Sequence, residues 1–375
     1  MSVSATERSD ASTGERATMK RVVVDHYGGP EVLKVVEAEV PEPGDGEVRL
    51  RLLAAGVSFT DAQLRAGTYL GVPKPPFTPG YDLVGVVEKL GPGASRLRVG
   101  SRAASLTVWG ADAEYVCVLE ENAVEVPDDL DPAEVVSLVL TYMTAYQLLH
   151  RTARARRGET VLVHGAAGRV GTALLELGAV AGLHMYGTCA GRDRAAVEEL
   201  GATAIDYQTE DFLARVRALP GNGVDVALDG LGGVLSLRSF RALRPGGRLV
   251  VFGHSATLRD GHKSWRGWFE WYAATGAVAL WAALSPRRKV FAYRIQKLRE
   301  GRQLLPVSAN HPALPVGGGP RNAQWFREDF AALLGLLRDG KIRPVVAERI
   351  SLDEARRAHE LLDTGAAKGK LVLQP

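Results

Sequence analysis

The stretch from Glu159 to Gly171 is the feature that most constrains the fold of this chain. A short apolar run from Val161 to Val163 predicts a buried strand, which breaks at Gly165 into a loop of small residues. An apolar-periodic run from Val170 to Ala181 then predicts a helix. Strand, glycine loop and helix open a dinucleotide-binding unit, because the loop N–H groups and the helix N-terminus present partial positive charge to a pyrophosphate. A purely structural turn is the alternative interpretation.

The sequence after this stretch keeps alternating between strand and helix patterns. Strands alternating with helices indicate a parallel sheet, and right-handed crossovers make it an open, doubly wound α/β sheet. Ligands of such sheets bind outside the carboxyl ends of the strands. The predicted strands are 160–164, 183–189, 203–207, 224–229 and 247–253, with helices such as 193–200 and 231–243 between them.

The parts before and after this sheet have a different character. Residues 20–56 alternate in the manner of strands separated by glycine and proline turns, and further strand patterns follow up to residue 127. Asp131 and Pro132 predict the start of a helix that runs to Arg151. At the far end, a loop at 310–321 and a helix at 327–338 precede a strand at 343–350, a helix from a capping box at 351–354 to Leu362, and a final strand at 369–373.

Composition limits the class of protein and its partners. The 375 residues are 46% hydrophobic and 24% charged, which is ordinary for a globular protein of about two domains. The net charge of +3 gives no reason to expect a nucleic-acid partner. The first 18 residues lack an apolar core, so they are no secretory signal, and we expect residues 1–19 to be a disordered tail.

Cysteine and histidine usage argues against disulfides and metals. Cys117 and Cys189 cannot form a disulfide framework, and both lie in strand-like runs where a small core residue is the plain interpretation. A reducing cytoplasm fits this usage. Structural zinc needs four Cys or His ligands and catalytic zinc about three. Two scattered cysteines and isolated histidines therefore predict no metal site. His164, at the end of the first sheet strand, is interpreted as a core or supporting residue.

The choice of nicotinamide cofactor depends on the tip of the second sheet strand. NAD selectivity usually needs a carboxylate there, on the ribose 2′-hydroxyl. This strand ends Gly187–Gly191 without one, and Arg192 and Arg194 follow. A 2′-phosphate would meet two guanidinium groups, which favours NADPH. Solvated helix-start charges are the alternative, and Asp193 between the arginines weakens the case.

The residues offer no paired nucleophile and base, and hydride transfer does not need one because the cofactor carries the chemistry. The protein must hold an acceptor and supply a proton or stabilise an enolate. Tyr69 and Tyr81 are the candidate donors, with packing roles as the alternative.

Residues 265–284 contain four of the six tryptophans and precede Arg287, Arg288 and Lys289. A membrane-spanning helix needs about 20 apolar residues, and Arg266 and Glu270 shorten the uninterrupted run to about 14. We predict a buried or pocket-covering helix pair. Contact with a membrane surface is the alternative.

Motifs spread over residues 20–375 resemble, in order, those of one family. It is the zinc-free branch of the medium-chain dehydrogenase/reductase superfamily, the quinone oxidoreductase and enoyl reductase group. The motifs are Gly56–Asp61, Pro79–Gly85, Thr144–Tyr146, Ala166–Gly171, Leu200–Ala202 with Asp206 and Tyr207, Leu243–Leu249 and Gly369–Leu373.

This resemblance implies a domain plan and an assembly. A GroES-like, partly open β-barrel would form the catalytic domain from residues 20–140 and 341–375, and a Rossmann NADP-binding domain at 141–340 would be inserted in it, carrying the Trp-rich insertion 265–284. The active site would lie in the cleft between them, and the protein would be a homodimer. The zinc-using branch has cysteine in place of Ser58 and histidine in place of Tyr81, so the resemblance also implies no metal.

The resemblance also assigns site residues. Tyr69 would be the proton donor, and the cleft wall that binds the substrate would include Ser58, Asp61 and Tyr81. The pyrophosphate would lie on the loop Gly165, Ala166, Ala167, Gly168, Arg169 and Val170. The remaining cofactor contacts would be Thr144, then Thr188, Arg192, Arg194 and Tyr207 around the adenosine phosphate, and Phe252, Gly253 and His254 beside the nicotinamide.

Two positions depart from the family pattern. Quinone oxidoreductases commonly have asparagine where this chain has Ser58, and Arg169 replaces the second of two adjacent loop glycines. We expect the Arg169 side chain to point away from the pyrophosphate. The resulting hypothesis is a zinc-independent, NADPH-dependent reductase of a quinone or an α,β-unsaturated carbonyl in the cytoplasm. The alternative is a nucleotide-binding protein that interacts with a membrane surface, of the vesicle amine transport-like type that segment 265–284 resembles.

Overall fold

The computed structural model describes residues 17–69, 71–254, 258–259, 262–285, 287–295, 320–365 and 367–375. Residues 1–16 of the predicted tail and 310–319 of the predicted loop lie outside these ranges.

The chain begins with antiparallel strands. The first two strands pair along their length, with Thr18 opposite Glu39. The prediction of a tail to residue 19 is therefore wrong at its last two residues, because Met19 is buried in this hairpin. The elements of this part are β1 (Thr18–Val24), β2 (Leu33–Glu39), β3 (Glu47–Val57), α1 (Phe59–Arg65), β4 (Asp82–Leu90), β5 (Arg102–Leu106), β6 (Tyr115–Leu119) and β7 (Ala123–Val126).

A helical run connects this part to the next. It comprises α2 (Pro132–Ser137) and α3 (Met143–Tyr146), each continued by wider π turns at Leu138–Tyr142 and Gln147–Thr152. Asp131 caps it as predicted, because its side chain accepts a hydrogen bond from the backbone N–H of Ala133.

A parallel sheet follows, built from alternating strands and helices. Its elements are β8 (Thr160–His164), α4 (Arg169–Val180), β9 (His184–Cys189), α5 (Arg194–Glu199), β10 (Thr203–Asp206), α6 (Phe212–Arg217), β11 (Val224–Asp229), α7 (Val234–Arg241), β12 (Leu243–Val251), the short hairpin β13 (Leu258–Arg259) and β14 (His262–Lys263), α8 (Trp265–Leu284) and β15 (Lys289–Ala292).

Among the described residues, six of these strands form one sheet in the order β10-β9-β8-β11-β12-β15, with every pairing parallel. The strand order reverses between β8 and β11, which creates a topological switch point at their carboxyl ends. The predicted doubly wound sheet is thus confirmed. Strand β12 starts earlier than predicted, because the register between β11 and β12 shifts and Leu243 pairs before the bulge.

The chain then returns to the first part through α9 (Pro320–Arg338), β16 (Val346–Ser351), α10 (Ala355–Asp363) and β17 (Lys370–Gln374). Strand β17 pairs with both β16 and β3, and the described strands of this sheet run in the order β16-β17-β3-β4-β5-β7, with β6 also on β3. The parallel sheet is therefore inserted between two segments that share one antiparallel-rich sheet. The domain limits at 140 and 341 remain our proposal.

Helix α8 differs from its prediction. It is one continuous helix that starts where the Ser264 side chain accepts from the Gly267 N–H, and no break divides it into a pair. One face packs on α7, but the opposite face leaves an apolar stripe exposed because no described element covers it. This exposed stripe consists of Trp265, Phe269, Tyr272, Leu280 and Leu284. Among the described helices, none has both the length and the apolar character needed to cross a membrane.

Candidate active site

The glycine loop connects β8 to α4 and lies at the switch point between β8 and β11. Gly165 leaves the strand with a φ of +68°, and Gly168 is the N-cap of α4 without any side-chain cap. A Cβ on Gly171 would come within 2.3 Å of the Gly165 carbonyl oxygen, so only glycine permits this close packing. The first N–H groups of α4 thus have no capping side chain, which is the arrangement that accepts an anion.

Buried polar side chains at the ends of β8 and β9 support the glycine loop. Thr188 is bonded through its hydroxyl to His164 Nδ1 at 3.1 Å, and its carbonyl accepts from Ala166 at 2.9 Å. His164 Nε2 lies 2.9 Å from the Ser239 hydroxyl. Burial lowers the pKa of His164 to about 4, which keeps it neutral. His164 therefore supports the loop. Thr188 holds the loop in place, and the contact of Thr188 with an adenosine phosphate stays a prediction.

The two arginines at the tip of β9 differ in how accessible they are to a ligand. The Arg192 side chain is 85% exposed and has a long ion pair of 3.7 Å with Asp193, whereas Arg194 is bonded to both Glu198 and Glu210. Tyr207 is also exposed, so its ring is accessible to a ligand. Of the two predicted arginines, Arg192 is the one available to a ligand.

A lysine from the end of the chain also reaches this tip. Lys368, which sequence reasoning missed, pairs with Asp193 across the cleft. Nothing local in the sequence connects two residues so far apart. The tip of β9 therefore has two accessible cations from different domains.

Arg169 connects the glycine loop to the other domain. Its Nε donates to the Gly369 carbonyl at 2.7 Å. Burial lowers the pKa of its guanidinium, and the nearby Asp61 carboxyl opposes this effect. The side chain thus leaves the loop toward the turn before β17.

Ser58 and Asp61 are bonded to each other at the start of α1. Asp61 Oδ2 accepts from the Ser58 N–H at 2.9 Å and from its hydroxyl at 2.6 Å. Asp61 Oδ1 is buried and has no hydrogen-bond partner among the described residues. Burial raises the pKa of Asp61 to about 6. The two predicted substrate-binding residues thus form a capping box, with one carboxylate oxygen left over.

Tyr69 and Tyr81 form a hydroxyl pair. The two oxygens are 2.7 Å apart, and the rings meet edge to face with centroids at 6.0 Å. Both side chains are buried. Burial raises the pKa of Tyr81 well above its usual value, and the neighbouring Tyr69 adds to this effect. The Tyr81 hydroxyl is therefore protonated at neutral pH and able to donate to the Tyr69 oxygen.

A buried charged cluster lies beside this pair. Lys370 Nζ is 3.0 Å from Asp82 Oδ2, and both side chains are almost fully buried. A Cβ on Gly56 would lie 2.1 Å from Lys370 Cε, so glycine makes room for the ion pair. Asp112 is also buried, has no hydrogen-bond partner for its carboxyl among the described residues, and has a pKa raised well above the usual range by burial. Sequence reasoning missed this cluster.

The ends of β12 and β15 bring further side chains to the tyrosine pair. Phe252 and Gly253 lead from β12 to His254, whose ring centroid lies 6.4 Å from that of Tyr69. Tyr293, just past β15, has a buried hydroxyl that interacts with Thr144. Burial lowers the pKa of His254. Of the predicted residues, Tyr69 and His254 thus meet across the cleft, and Tyr293 is an addition.

Two family models match the chain. One described as "Alcohol dehydrogenase GroES-like domain" matches residues 44–128, and one described as "Zinc-binding dehydrogenase" matches residues 200–373. Within the described ranges, no group of three His, Cys, Asp or Glu residues could hold a metal ion.

Similar proteins span nearly the whole chain. Human "Synaptic vesicle membrane protein VAT-1 homolog-like" is 29% identical over 361 residues, covering 96% of this chain and 82% of that protein. Human "Quinone oxidoreductase" is 28% identical over 368 residues, covering 96% and 99%. The solved structure of Escherichia coli quinone oxidoreductase complexed with NADPH has a TM-score of 0.79 and 26% identity, and the match covers 96% of this chain and all of that one.

These matches confirm the predicted fold class, a GroES-like domain with a Rossmann domain, and support an oxidoreductase. Together they support placing the chain in the zinc-free branch of the medium-chain dehydrogenase/reductase superfamily, in its quinone oxidoreductase-like group.

Proposed function

We propose that the protein is a zinc-independent, NADPH-dependent reductase of conjugated carbonyl compounds, either quinones or α,β-unsaturated carbonyls. The observation that carries this proposal is the contact between Tyr69 and His254. It brings a buried tyrosine hydroxyl of one domain to the carboxyl end of the parallel sheet in the other. A proton donor beside a dinucleotide-type sheet edge is what a hydride-transfer reductase requires.

The residues present fit a dinucleotide phosphate. The uncapped N-terminus of α4 suits the pyrophosphate, and Gly165 to Val170 would hold it. No carboxylate stands at the last residues of β9 itself, and Arg192 and Lys368, which both lie near Asp193 just beyond it, would supply charge for a 2′-phosphate. The Escherichia coli relative in complex with NADPH supports the same choice. When bound, the reduced nicotinamide supplies the hydride.

The tyrosine pair supplies the matching proton. Tyr69 holds its proton on the hydroxyl and can pass it to a carbon or oxygen of the substrate. Tyr81 then donates its hydrogen bond to the Tyr69 oxygen over the observed 2.7 Å, which stabilises the charge left behind. Burial of both rings excludes water from this transfer.

The test begins with titration of NADPH against NADH, followed by a screen of quinones, enones and enoyl thioesters. We expect Tyr69→Phe to lower turnover by about 10²- to 10⁴-fold, the usual contribution of a general acid. Tyr115→Phe, on β6, is the matched control and should have no effect. Unchanged turnover and product stereochemistry in Tyr69→Phe would refute the donor role, and absence of NADPH oxidation with every acceptor would refute the reductase.

A second candidate function is interaction with a membrane surface through the exposed stripe of α8. Side chains of Trp265 and Phe269 are each 75% exposed and Leu284 is 72% exposed. The human relative named for synaptic vesicle membranes favours this candidate. Flotation with anionic liposomes tests it, with Phe269→Glu as the variant expected to abolish flotation. No flotation of the wild type, together with clear NADPH oxidation by a quinone or enone, argues for the enzyme alone.

The homodimer and the cytoplasmic location remain proposals that rest on the family resemblance. Mass photometry at nanomolar concentration measures the assembly directly. A single species at the monomer mass would contradict the dimer.

A further inference from the structure

The first turns of α8 carry a group of packed aromatic rings. Ring centroids of Trp268 and Trp271 are 6.0 Å apart, and Tyr272 lies within 5.6 Å of the first and 5.1 Å of the second. Both indoles also contact His254, at 5.7 and 6.0 Å. Since His254 contacts Tyr69, the five rings form one continuous surface, which we name the aromatic wall.

The wall stands at the ligand-binding edge of the parallel sheet. A Cβ on Gly232 would lie 2.8 Å from Cδ1 and Nε1 of Trp271 and 3.2 Å from the Gly253 carbonyl. Gly232 and Gly253 follow β11 and β12, so the indole covers the carboxyl ends of these two strands. Open α/β sheets bind their ligands at this edge.

The two indoles present hydrogen-bond donors that nothing described accepts. Nε1 of Trp268 and Nε1 of Trp271 are both buried, and neither has a hydrogen-bond partner among the described residues. A buried tryptophan N–H usually finds an acceptor, and leaving it unpaired costs free energy. Trp281, farther along the same helix, differs because it stacks on Phe240 and lies under the Arg241 guanidinium. Its surroundings are those of a packing residue.

We propose that Trp268 and Trp271 bind the substrate, and that this substrate is a conjugated carbonyl with an attached or fused aromatic ring. The flat ring stacks on the aromatic wall, and an oxygen of the substrate accepts an indole N–H. An aliphatic enoyl chain has no π face to stack. The inference rests on the proposed reductase function and narrows its substrate class.

Two enones that differ only at the β-carbon test this inference. Benzylideneacetone carries a phenyl group there and ethylideneacetone carries a methyl group, while the bond to be reduced is the same. We expect the wild type to prefer benzylideneacetone by about tenfold or more in kcat/KM, since ring–ring packing adds to the apolar burial of the phenyl group, whereas the carbonyl hydrogen bond is common to both enones. Equal kcat/KM for the two enones would overturn the inference.

Substitution of each indole by phenylalanine keeps an aromatic ring and removes the N–H. At least one of Trp268→Phe and Trp271→Phe should lower kcat/KM for both enones by about fivefold, mainly through KM, because the carbonyl oxygen that accepts the indole N–H is common to both. Trp281→Phe is the matched control on the same helix and should leave kcat/KM unchanged. Unaltered kcat/KM for both enones in both cleft variants would contradict the role of the indoles.

Calorimetric titration of benzylideneacetone into protein with oxidised NADP separates this inference from the proposed function, because no turnover occurs. Binding that weakens in Trp268→Phe, without reduction of any enone by NADPH, would sustain the aromatic site and refute the reductase. Reduction of both enones at equal kcat/KM, with equal affinities, would sustain the reductase and refute the aromatic site. Melting curves of the variants verify that each is folded.

Discussion

Replacement of Asp61 by asparagine should stabilise the protein at neutral pH. Asp61 is 1% exposed, and its Oδ1 has no partner among the described residues, so its charge is poorly compensated. Burial is the main reason that its pKa is raised, and the hydrogen bonds from Ser58 only partly oppose it. An asparagine oxygen can accept the same two bonds from Ser58 without bringing a charge.

The size and the sign of the effect follow from the pKa. The pKa of Asp61 rises from 3.8 to about 6, and at about 1.4 kcal/mol per tenfold change in proton affinity this difference is worth about 3 kcal/mol. Because the folded pKa is the higher one, folding favours the protonated acid. Its contribution to the free energy of unfolding is fully present below pH 3.8 and is lost as the pH rises to about 6.

Urea unfolding followed by far-UV circular dichroism measures this difference. The wild type and Asp61→Asn should have similar midpoints near pH 4, and at pH 8 the variant should be the more stable by up to about 3 kcal/mol. Asp211→Asn, at an exposed helix N-cap, is a control in which the substitution does not remove a buried charge. If the wild-type and Asp61→Asn midpoints change in parallel from pH 4 to pH 8, the carboxylate is not strained by burial and the reasoning is refuted.

Three further predictions concern charged side chains. Lys370→Met should cost about 3–5 kcal/mol of stability, because its aspartate partner stays buried and unpaired; thermal denaturation measures this loss, and a melting temperature like that of the wild type would contradict it. Arg192→Ala should weaken NADPH binding about tenfold and leave NADH binding unchanged, while Arg194→Ala, whose guanidinium is held by two glutamates, should change NADPH binding by less than about threefold. Isothermal titration calorimetry measures the dissociation constants, and an equal loss of NADPH affinity in both variants would contradict the different roles of the two arginines. Arg169→Gly should leave the NADPH dissociation constant within about threefold, because the side chain points to the other domain; a tenfold change would mean that it lies at the pyrophosphate.

Fold class was predictable because its signals are local. The strand predicted at 224–229 matches β11 at both ends, since an apolar run buried on every side and bounded by glycine leaves little choice. The Trp-rich segment was predicted less well. Its composition indicates a helix, but an evenly apolar helix gives no periodic signal for which face is buried. The fold buries one face of α8 and leaves the exposed stripe to solvent, contrary to the predicted helix pair.

Site residues were predictable when their role is local and not when it depends on contacts between distant segments. The glycine loop follows from a continuous stretch, and Tyr69 and Tyr81 were each recognised as candidate donors. Their direct hydroxyl contact was not predicted, and neither was the pairing of Lys370 with Asp82, 288 positions away. Such contacts depend on β17 returning beside β3, which no local pattern specifies.

The turn before β17 explains why a long side chain is tolerated in the glycine loop. Arg169 has an acceptor there, the carbonyl of Gly369, whose φ of +122° is a conformation that favours glycine. The residues on either side of Gly369 hold the same turn through other contacts. Lys368 holds the tip of β9 through Asp193, and Lys370 reaches into the buried cluster. Contacts to the glycine loop, to the tip of β9 and to the buried charges beside the tyrosine pair thus all come from one turn of three consecutive residues.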